Sequence, residues 1–238
     1  VLHDSRATLL YRVTDQASGQ QLVLKTLRPD LADDAEQIRA LIMEEWRARR
    51  IVSPFFVQLV PTETRSCLYY LQSWHDGGTL QRMLDADMHF TVADAVQHGI
   101  RLMKGLSALH RLDIAHRDIK PANIHLGRDG RLRILDLGVA VSLSEDEAGK
   151  GSPGTPSYMA PELFTGARAG TGHDLYAAGV ALYHLLTRKF PYGEIEPFQH
   201  PKFGEPVAPT RYRPDIPGWL ENVLLKAVAK DPAQRFET

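Results

Sequence analysis

Two short motifs hold the residues of this sequence whose types and spacing could do chemistry. The first is the run HRDIKPAN over 116–123, and the second, DLG, begins thirteen residues later at Asp136. Phosphoryl transfer needs an acceptor for the proton of the attacking hydroxyl, a cation beside the transferred phosphate, and oxygen ligands for magnesium. Asp118 and Lys120 supply the first two as catalytic residues, and Asn123 and Asp136 supply the metal ligands.

Each motif alone has a simpler interpretation. HRD could open a solvated loop after a helix, and Asp136 could end a strand at a turn. The occurrence of both in register favours the chemical interpretation.

The composition excludes several classes of protein. The 238 residues are 43% hydrophobic and 24% charged, which is typical of a globular protein and not of a disordered, collagenous or coiled-coil chain. The 28 basic and 29 acidic residues leave a net charge of −1, so no general field would attract nucleic acid or anionic lipid. We therefore expect no nucleic-acid partner, and any anionic ligand must be bound by local groups.

The cysteine count and the apolar runs predict the cellular location of the protein. The single cysteine, Cys67, cannot form an internal disulfide, so we expect a reducing cytoplasm. The longest apolar stretch, 175–186, is too short to span a bilayer, which predicts no membrane segment in this chain. The start at Val1, without a leader, predicts a domain taken from a longer protein.

The elements that must position the motifs fall into two parts. Residues 1–75 contain β-rich runs at 8–13, 21–27, 57–59 and 67–72, with one amphipathic helix over about 34–50. Residues 76–238 are mostly helical, with helices predicted over 79–86, 92–110, 173–187 and 217–229 and short strands over 124–126 and 132–135. This pattern predicts an α+β chain in which a small sheet-rich lobe and a larger helical lobe enclose a cleft.

With HRDIKPAN, DLG and the later Ala160-Pro161-Glu162, the chain resembles the catalytic domain of eukaryotic-type protein kinases over nearly its whole length. The resemblance implies the bilobal protein-kinase fold, with an N-lobe over 1–75 and a C-lobe over 76–238. It implies ATP and Mg²⁺, or Mn²⁺ in its place, as cofactors, and a protein substrate. Lys120 together with Thr155 resembles the serine/threonine kinases, so we expect a Ser or Thr hydroxyl as the acceptor.

The resemblance also assigns residues to the nucleotide. Lys25, in Val23-Leu24-Lys25, would grip the α- and β-phosphates, and Glu44, nineteen residues later, would hold the lysine. Glu45 is the weaker candidate, because adjacent carboxylates point about 100° apart on a helix.

The connector between the lobes aligns with the kinase hinge. There the Ser73 carbonyl and the His75 amide would meet adenine. Any connector has backbone groups to spare, so the side chains of Trp74 and His75 carry no weight in this assignment. His125 takes the position that usually forms an apolar floor under adenine, where it could stack as a neutral imidazole or simply fill space.

Structural roles are implied as well. The resemblance makes HRDIKPAN, 116–123, the catalytic loop, whose backbone Asp174 would anchor, and Glu162 would pair with Arg235.

The glycine-rich loop that covers the phosphates in kinases is missing. If Leu9 takes the place of the valine that follows this loop, the three glycine positions fall at Leu2, Asp4 and Ala7. Asp4 would then bring a negative charge close to ATP, and Asp4→Gly should tighten binding. This departure leaves open an alternative function, a catalytically impaired pseudokinase that acts as a nucleotide- or protein-binding module.

Two further expectations concern context. The segments 3–11, 23–26 and 44–47 resemble the kinase half of bacterial proteins that join a phosphatase to a kinase, which implies a phosphatase domain in the same full-length chain. The acidic residues 145–147 could supply a built-in partner for Arg117, or could simply belong to a solvated loop.

Overall fold

The first part of the chain folds into a five-stranded antiparallel sheet. The structure is a computed structural model that describes residues 1–62, 65–142, 155–168, 170–197 and 201–237. The strands are β1 (His3–Asp4), β2 (Thr8–Thr14), β3 (Gln21–Leu27), β4 (Leu59–Val60) and β5 (Tyr69–Ser73), in the order β1-β2-β3-β5-β4. Gly19 turns the chain between β2 and β3 with a φ of 71°, which a residue with a Cβ rarely adopts.

The register of this sheet corrects the position expected of Leu9. Leu10, not Leu9, lies directly opposite Lys25, and Leu9 lies opposite Thr26. Because side chains alternate between the two faces of a strand, a shift of one residue moves a side chain to the other face. Leu10 therefore shares the face of Lys25.

One helix, α1 (Ala35–Arg50), packs against the sheet. Asp34 caps its start by accepting hydrogen bonds from the amides of Glu36 and Gln37 at 2.9 and 3.0 Å. Leu41 on its buried face packs with Leu27 and Tyr70 of the sheet. The predicted helix is thus present within one residue of its expected bounds.

The segment that follows α1 is bonded to the second part of the chain. The Phe55 carbonyl accepts a hydrogen bond of 2.7 Å from the Ile134 amide, and Phe56 forms a parallel bridge with the same residue. Gly105 allows this approach, because a Cβ there would lie 2.7 Å from the Ile134 side chain and 3.2 Å from Phe55.

The four helices predicted for the second part are all present. Its helices and strands are β6 (Gly77–Thr79), α2 (Leu80–Asp85), α3 (Val92–His110), β7 (Ile114–Ala115), β8 (Ile124–Gly127), β9 (Leu132–Ile134), β10 (Val141–Ser142), α4 (Thr171–Thr187) and α5 (Gly218–Ala227). Strands β6, β8 and β9 form one small sheet and β7 pairs with β10. The sequence missed β6, β7 and β10, each only two or three residues long.

Helix α4 lies at the centre of the core. Its residues Ala178, Val180, Ala181 and Tyr183 are fully buried, which fits a helix that is apolar around most of its circumference. Among the described residues, none of the helices has the length and apolar character needed to cross a membrane.

Two glycines of α4 provide a test of this packing. A Cβ on Gly179 would lie 2.8 Å from the Ala227 Cβ at the end of α5, whereas a Cβ on Gly172 would meet nothing within 4 Å. We expect Gly179→Ala to lower the free energy of unfolding by about 1–3 kcal/mol through overpacking. Gly172→Ala, the matched control, should leave the melting temperature unchanged or raise it slightly. Equal melting temperatures for the two variants would contradict this account of the α4–α5 contact.

Candidate active site

A buried lysine joins three segments of the chain. The Lys25 ammonium on β3 lies 2.6 Å from Glu44 Oε1 on α1 and 2.9 Å from Asp136 Oδ1, just after β9. The side chains of Lys25 and Glu44 are nearly inaccessible, whereas 48% of the Asp136 side chain remains exposed. The predicted contact between Lys25 and Glu44 is present. Glu45 instead pairs with Arg49 and Arg65 on the outer side of α1.

The ionisation of these groups follows from burial and charge. Burial favours the neutral amine, but the carboxylates of Glu44 and Asp136 outweigh it and raise the pKa of Lys25 well above its usual value. Burial also raises the pKa of Glu44. Burial acts the same way on Asp136, but the Lys25 charge outweighs it and holds the pKa of Asp136 well below its usual range. Lys25 is therefore a permanent cation, with the Asp136 carboxylate ionised beside it.

Local backbone geometry places Asp136. The Leu135 amide donates to the Asn123 carbonyl at 2.9 Å, which ties the end of β9 to the catalytic loop. Asp136 itself has a φ of 59°, and its Oδ1 accepts a hydrogen bond of 3.1 Å from the Gly138 amide. A Cβ on Gly138 would lie 3.1 Å from that same oxygen, so a glycine fits the turn.

The catalytic loop is held by one buried carboxylate. Asp174, at 1% exposure, accepts hydrogen bonds of 2.8 Å from the backbone amides of His116 and Arg117, and its Oδ2 lies 2.8 Å from His110 Nε2. Arg117 adopts a φ of 70°, a conformation that needs such support. The expected anchoring role of Asp174 is confirmed by these contacts.

His116 ties the loop to β9. Its Nε2 lies 2.9 Å from the Leu135 carbonyl, and the Asp118 amide approaches its Nδ1 at 3.3 Å. These contacts require a proton on Nε2, so the imidazole bonds both neighbours in one tautomer.

Asp118, Lys120 and Asn123 converge within the loop. Lys120 Nζ lies 2.7 Å from Asp118 Oδ2 and donates to the Thr155 hydroxyl at 2.8 Å. The Asn123 amide nitrogen donates to the Asp118 carbonyl and to Asp118 Oδ2 at 2.8 and 2.9 Å. The Asp118 carboxylate is thus fixed by two donors.

The residues predicted to bind a metal fit a magnesium ion. The Asn123 nitrogen makes the bonds to Asp118, so the amide oxygen is the atom free to act as a ligand, and Asp136 adds an ionised carboxylate. In the described residues no three His, Cys, Asp or Glu side chains form a metal cluster. One carboxylate and one amide oxygen suit Mg²⁺, which takes its remaining ligands from phosphates and water.

The side chains of the connector that aligns with the hinge make contacts of their own. Trp74 donates from its indole to Asp76 at 3.0 Å, and the Arg12 guanidinium lies 4.6 Å from the centre of the indole ring. His75 Nε2 lies 3.0 Å from the Ser73 hydroxyl. These contacts fix the backbone at Ser73 and His75.

His125 lies beside this connector. A Cβ on Gly77 would come within 3.1 Å of the His125 ring. The backbone of His75 also interacts with the His125 imidazole. Burial and the nearby Arg133 lower the pKa values of both His125 and His75, so both imidazoles are neutral at neutral pH.

Arg133 was missed at the sequence level. It lies on β9 directly opposite His125 of β8 and is only 4% exposed. Its guanidinium lies 2.7 Å from the Asp129 carboxylate. The available signal was an arginine in the middle of a short apolar strand. Tyr70, directly opposite Lys25 on β5, was missed as well, and burial raises the pKa of its phenol.

The remaining expectations have mixed outcomes. The Glu162–Arg235 pair is confirmed, with two hydrogen bonds of 2.7 and 2.8 Å. The Asp4 carboxylate bonds Arg28 and shares the face of Leu9 and Thr26, opposite to Lys25, so it does not lie beside the lysine as the alignment from Leu9 implies. The acidic residues 145–147 lie outside the described residues.

Comparison with known proteins gives the class. The sequence profile of the family described as the protein kinase domain matches residues 7–236. The chain therefore belongs to the protein kinase family, and its fold is the bilobal kinase fold.

Several curated relatives resemble the chain over most of its length. It is 31% identical to serine/threonine-protein kinase PrkC of Bacillus subtilis over 96% of this chain and 36% of the relative. It is 32% identical to serine/threonine-protein kinase PknD of Chlamydia abortus over 95% of this chain and 28% of the relative. The chain thus spans about a third of the length of these relatives.

Asp174 offers a test of how the catalytic loop is held. We expect Asp174→Asn to lower the free energy of unfolding by about 2–3 kcal/mol, because an amide can accept only one of the two backbone hydrogen bonds and leaves the other buried donor unpaired. Asp113→Asn, an exposed aspartate with a φ of 56°, is the matched control and should behave as the unmodified chain. Thermal denaturation of both variants measures the difference, and an unshifted melting temperature for Asp174→Asn would refute the role.

Proposed function

We propose that this chain is an ATP-dependent serine/threonine protein kinase that transfers the γ-phosphate of ATP to Ser or Thr hydroxyls of proteins, in a bacterial signalling context. The observation that carries the proposal is the convergence of Asp118, Lys120 and Asn123 in a single hydrogen-bonded group. The non-catalytic alternative is not favoured, because the chemical groups of the reaction are present and bonded to one another.

Asp118 is the group that orients the acceptor hydroxyl and takes its proton. Lys120 and Asn123 fix one of its carboxylate oxygens, Oδ2, while the other oxygen, Oδ1, which has only a long contact of 3.5 Å with the Thr155 hydroxyl, is the one that meets the acceptor. Lys120, held by Asp118 and Thr155, places a cation where charge develops on the transferred phosphate. Both side chains are thus already held in these positions before the reaction.

Lys25 holds the α- and β-phosphates and Glu44 holds Lys25. Asn123 and Asp136 hold Mg²⁺, or Mn²⁺, which neutralises the charge of the phosphates when bound. The Ser73 carbonyl and the His75 amide bind adenine, and His125 lies under the ring as a neutral imidazole.

The wider context belongs to the same proposal. Residues 1–75 form the N-lobe and 76–238 the C-lobe of one catalytic domain. Thr155, bonded to Lys120, supports a Ser or Thr acceptor, as do the names of the relatives. A phosphatase domain in the same full-length chain and a cytoplasmic location stay predictions from the sequence.

Two aspartates test the enzymatic proposal. Asp118→Asn and Asp136→Asn should each reduce phosphate transfer at least 100-fold, because one removes the proton acceptor and the other an ionised metal ligand. Asp87→Asn, an exposed aspartate with an 86% exposed side chain, is the control. The assay is transfer from γ-labelled ATP to a basic protein, followed by phosphoamino-acid analysis. Full activity in either site variant would contradict the proposal. Phosphotyrosine as the sole product would show that the acceptor is not a Ser or Thr hydroxyl.

The neighbouring glutamates of α1 give a second test. Glu44→Gln should raise the KM for ATP roughly tenfold or more, since a charge-assisted bond to Lys25 is replaced by a weaker neutral one. Glu45→Gln removes only the partner of Arg49 and Arg65 and should leave the KM unchanged. Similar KM values for the two variants would show that Glu44 does not position Lys25 for the nucleotide.

A further inference from the structure

Two rows of side chains cross the large sheet on the face that carries Lys25. The register His3–Leu10–Lys25–Tyr70 defines one row, and Arg12–Val23–Gln72 defines the other. Residues directly opposite one another on antiparallel strands share a face, and residues two apart on one strand share it as well. His3 therefore lies on the same face as Lys25.

The two rows lie over different parts of a bound nucleotide. The row of Gln72 leads directly into Ser73 and His75, which bind adenine in the proposed function. The row of Lys25 lies two residues further along the strands, roughly 7 Å away, over the phosphates. His3 belongs to this phosphate row, two strands or roughly 10 Å from the Lys25 backbone, and its side chain is exposed.

Two backbone amides of the turn between β1 and β2 are hydrogen-bonded within the turn. With Leu10 in place of Leu9, the three expected glycine positions move to His3, Ser5 and Thr8. The Ser5 amide donates to the Thr8 carbonyl and the Thr8 amide to the Ser5 hydroxyl, both at 3.0 Å. These two amides are therefore not available to bind phosphate oxygens as the amides of an open glycine loop would be.

A side chain of this row can supply the donor instead. We propose that His3 binds the phosphate groups of the nucleotide through an imidazole N–H, in place of the backbone amides of a glycine loop. A neutral imidazole carries one N–H donor and a protonated one carries two, so the contact needs no particular charge state. The proposal rests on the proposed function, because it takes Lys25 to be the phosphate-binding lysine.

Calorimetry on the 238-residue chain tests the proposal with ADP plus Mg²⁺ and with adenosine. We expect His3→Ala and His3→Gly each to weaken ADP binding about tenfold, with adenosine binding unchanged, because only ADP presents phosphates to the lost donor. His89→Ala, which removes a histidine with a 79% exposed side chain from the loop between α2 and α3, is the control and should bind both ligands normally.

His3→Gly is the decisive variant, because it restores the residue that kinases have at this position. If the imidazole merely crowds the nucleotide, the glycine variant will bind ADP more tightly, and that result would overturn the proposal. Unchanged ADP affinity, an equal loss for adenosine, or no measurable ADP binding by the wild-type chain would overturn it too. Phosphate transfer by the wild-type chain is scored separately: its absence refutes the proposed function, whereas transfer with normal ADP affinity in the His3 variants refutes only this inference.

Discussion

The arrangement of the site depends on one buried cation. The Lys25 ammonium is almost completely buried, and the carboxylates of Glu44 and Asp136 that lie against it offset its desolvation. These partners are 19 and 111 residues away in the sequence, on α1 and after β9. The ion pairs therefore connect the sheet, the helix and the second part of the chain at a single point, and the loss of either partner leaves Lys25 with a single carboxylate to offset its burial.

The second part of the chain also contains a buried charge, but different groups offset its burial. Asp174 is as deeply buried as Lys25 and Glu44, yet its contacts are two backbone amides and the His110 ring instead of an ammonium ion. Backbone donors are fixed by the fold, so this carboxylate orders the loop that carries Asp118 without engaging a mobile cation. Each half of the site thus has its own buried carboxylate. Glu44 orients the side chain of Lys25, and Asp174 orients the backbone of the loop that carries Asp118.

Much of this site could be predicted from the sequence, because the spacing of HRDIKPAN, DLG and Lys25 fixes which residues must meet. The helices were also predictable, since their apolar periodicity and caps are local. The face on which Leu9 and Leu10 point was not predictable, because two successive leucines give no alternation to read. Only pairing with β3 decides between them. Trp74 and Arg133 each contact an aspartate within four residues in the sequence, but the contact between Trp74 and Arg12 joins distant strands, so no local pattern could indicate it.

The bonds between Phe55, Phe56 and Ile134 hold one end of α1 in place. They lie shortly after its last residue, Arg50, so that end of the helix is tied to β9, and its first residue, Ala35, is the one farthest from this tie. Glu44 lies six residues from the tied end and Ala35 fifteen, which is about 9 Å against about 22 Å along the axis. A rotation of the helix about its tied end would therefore move Glu44 about two-fifths as far as Ala35.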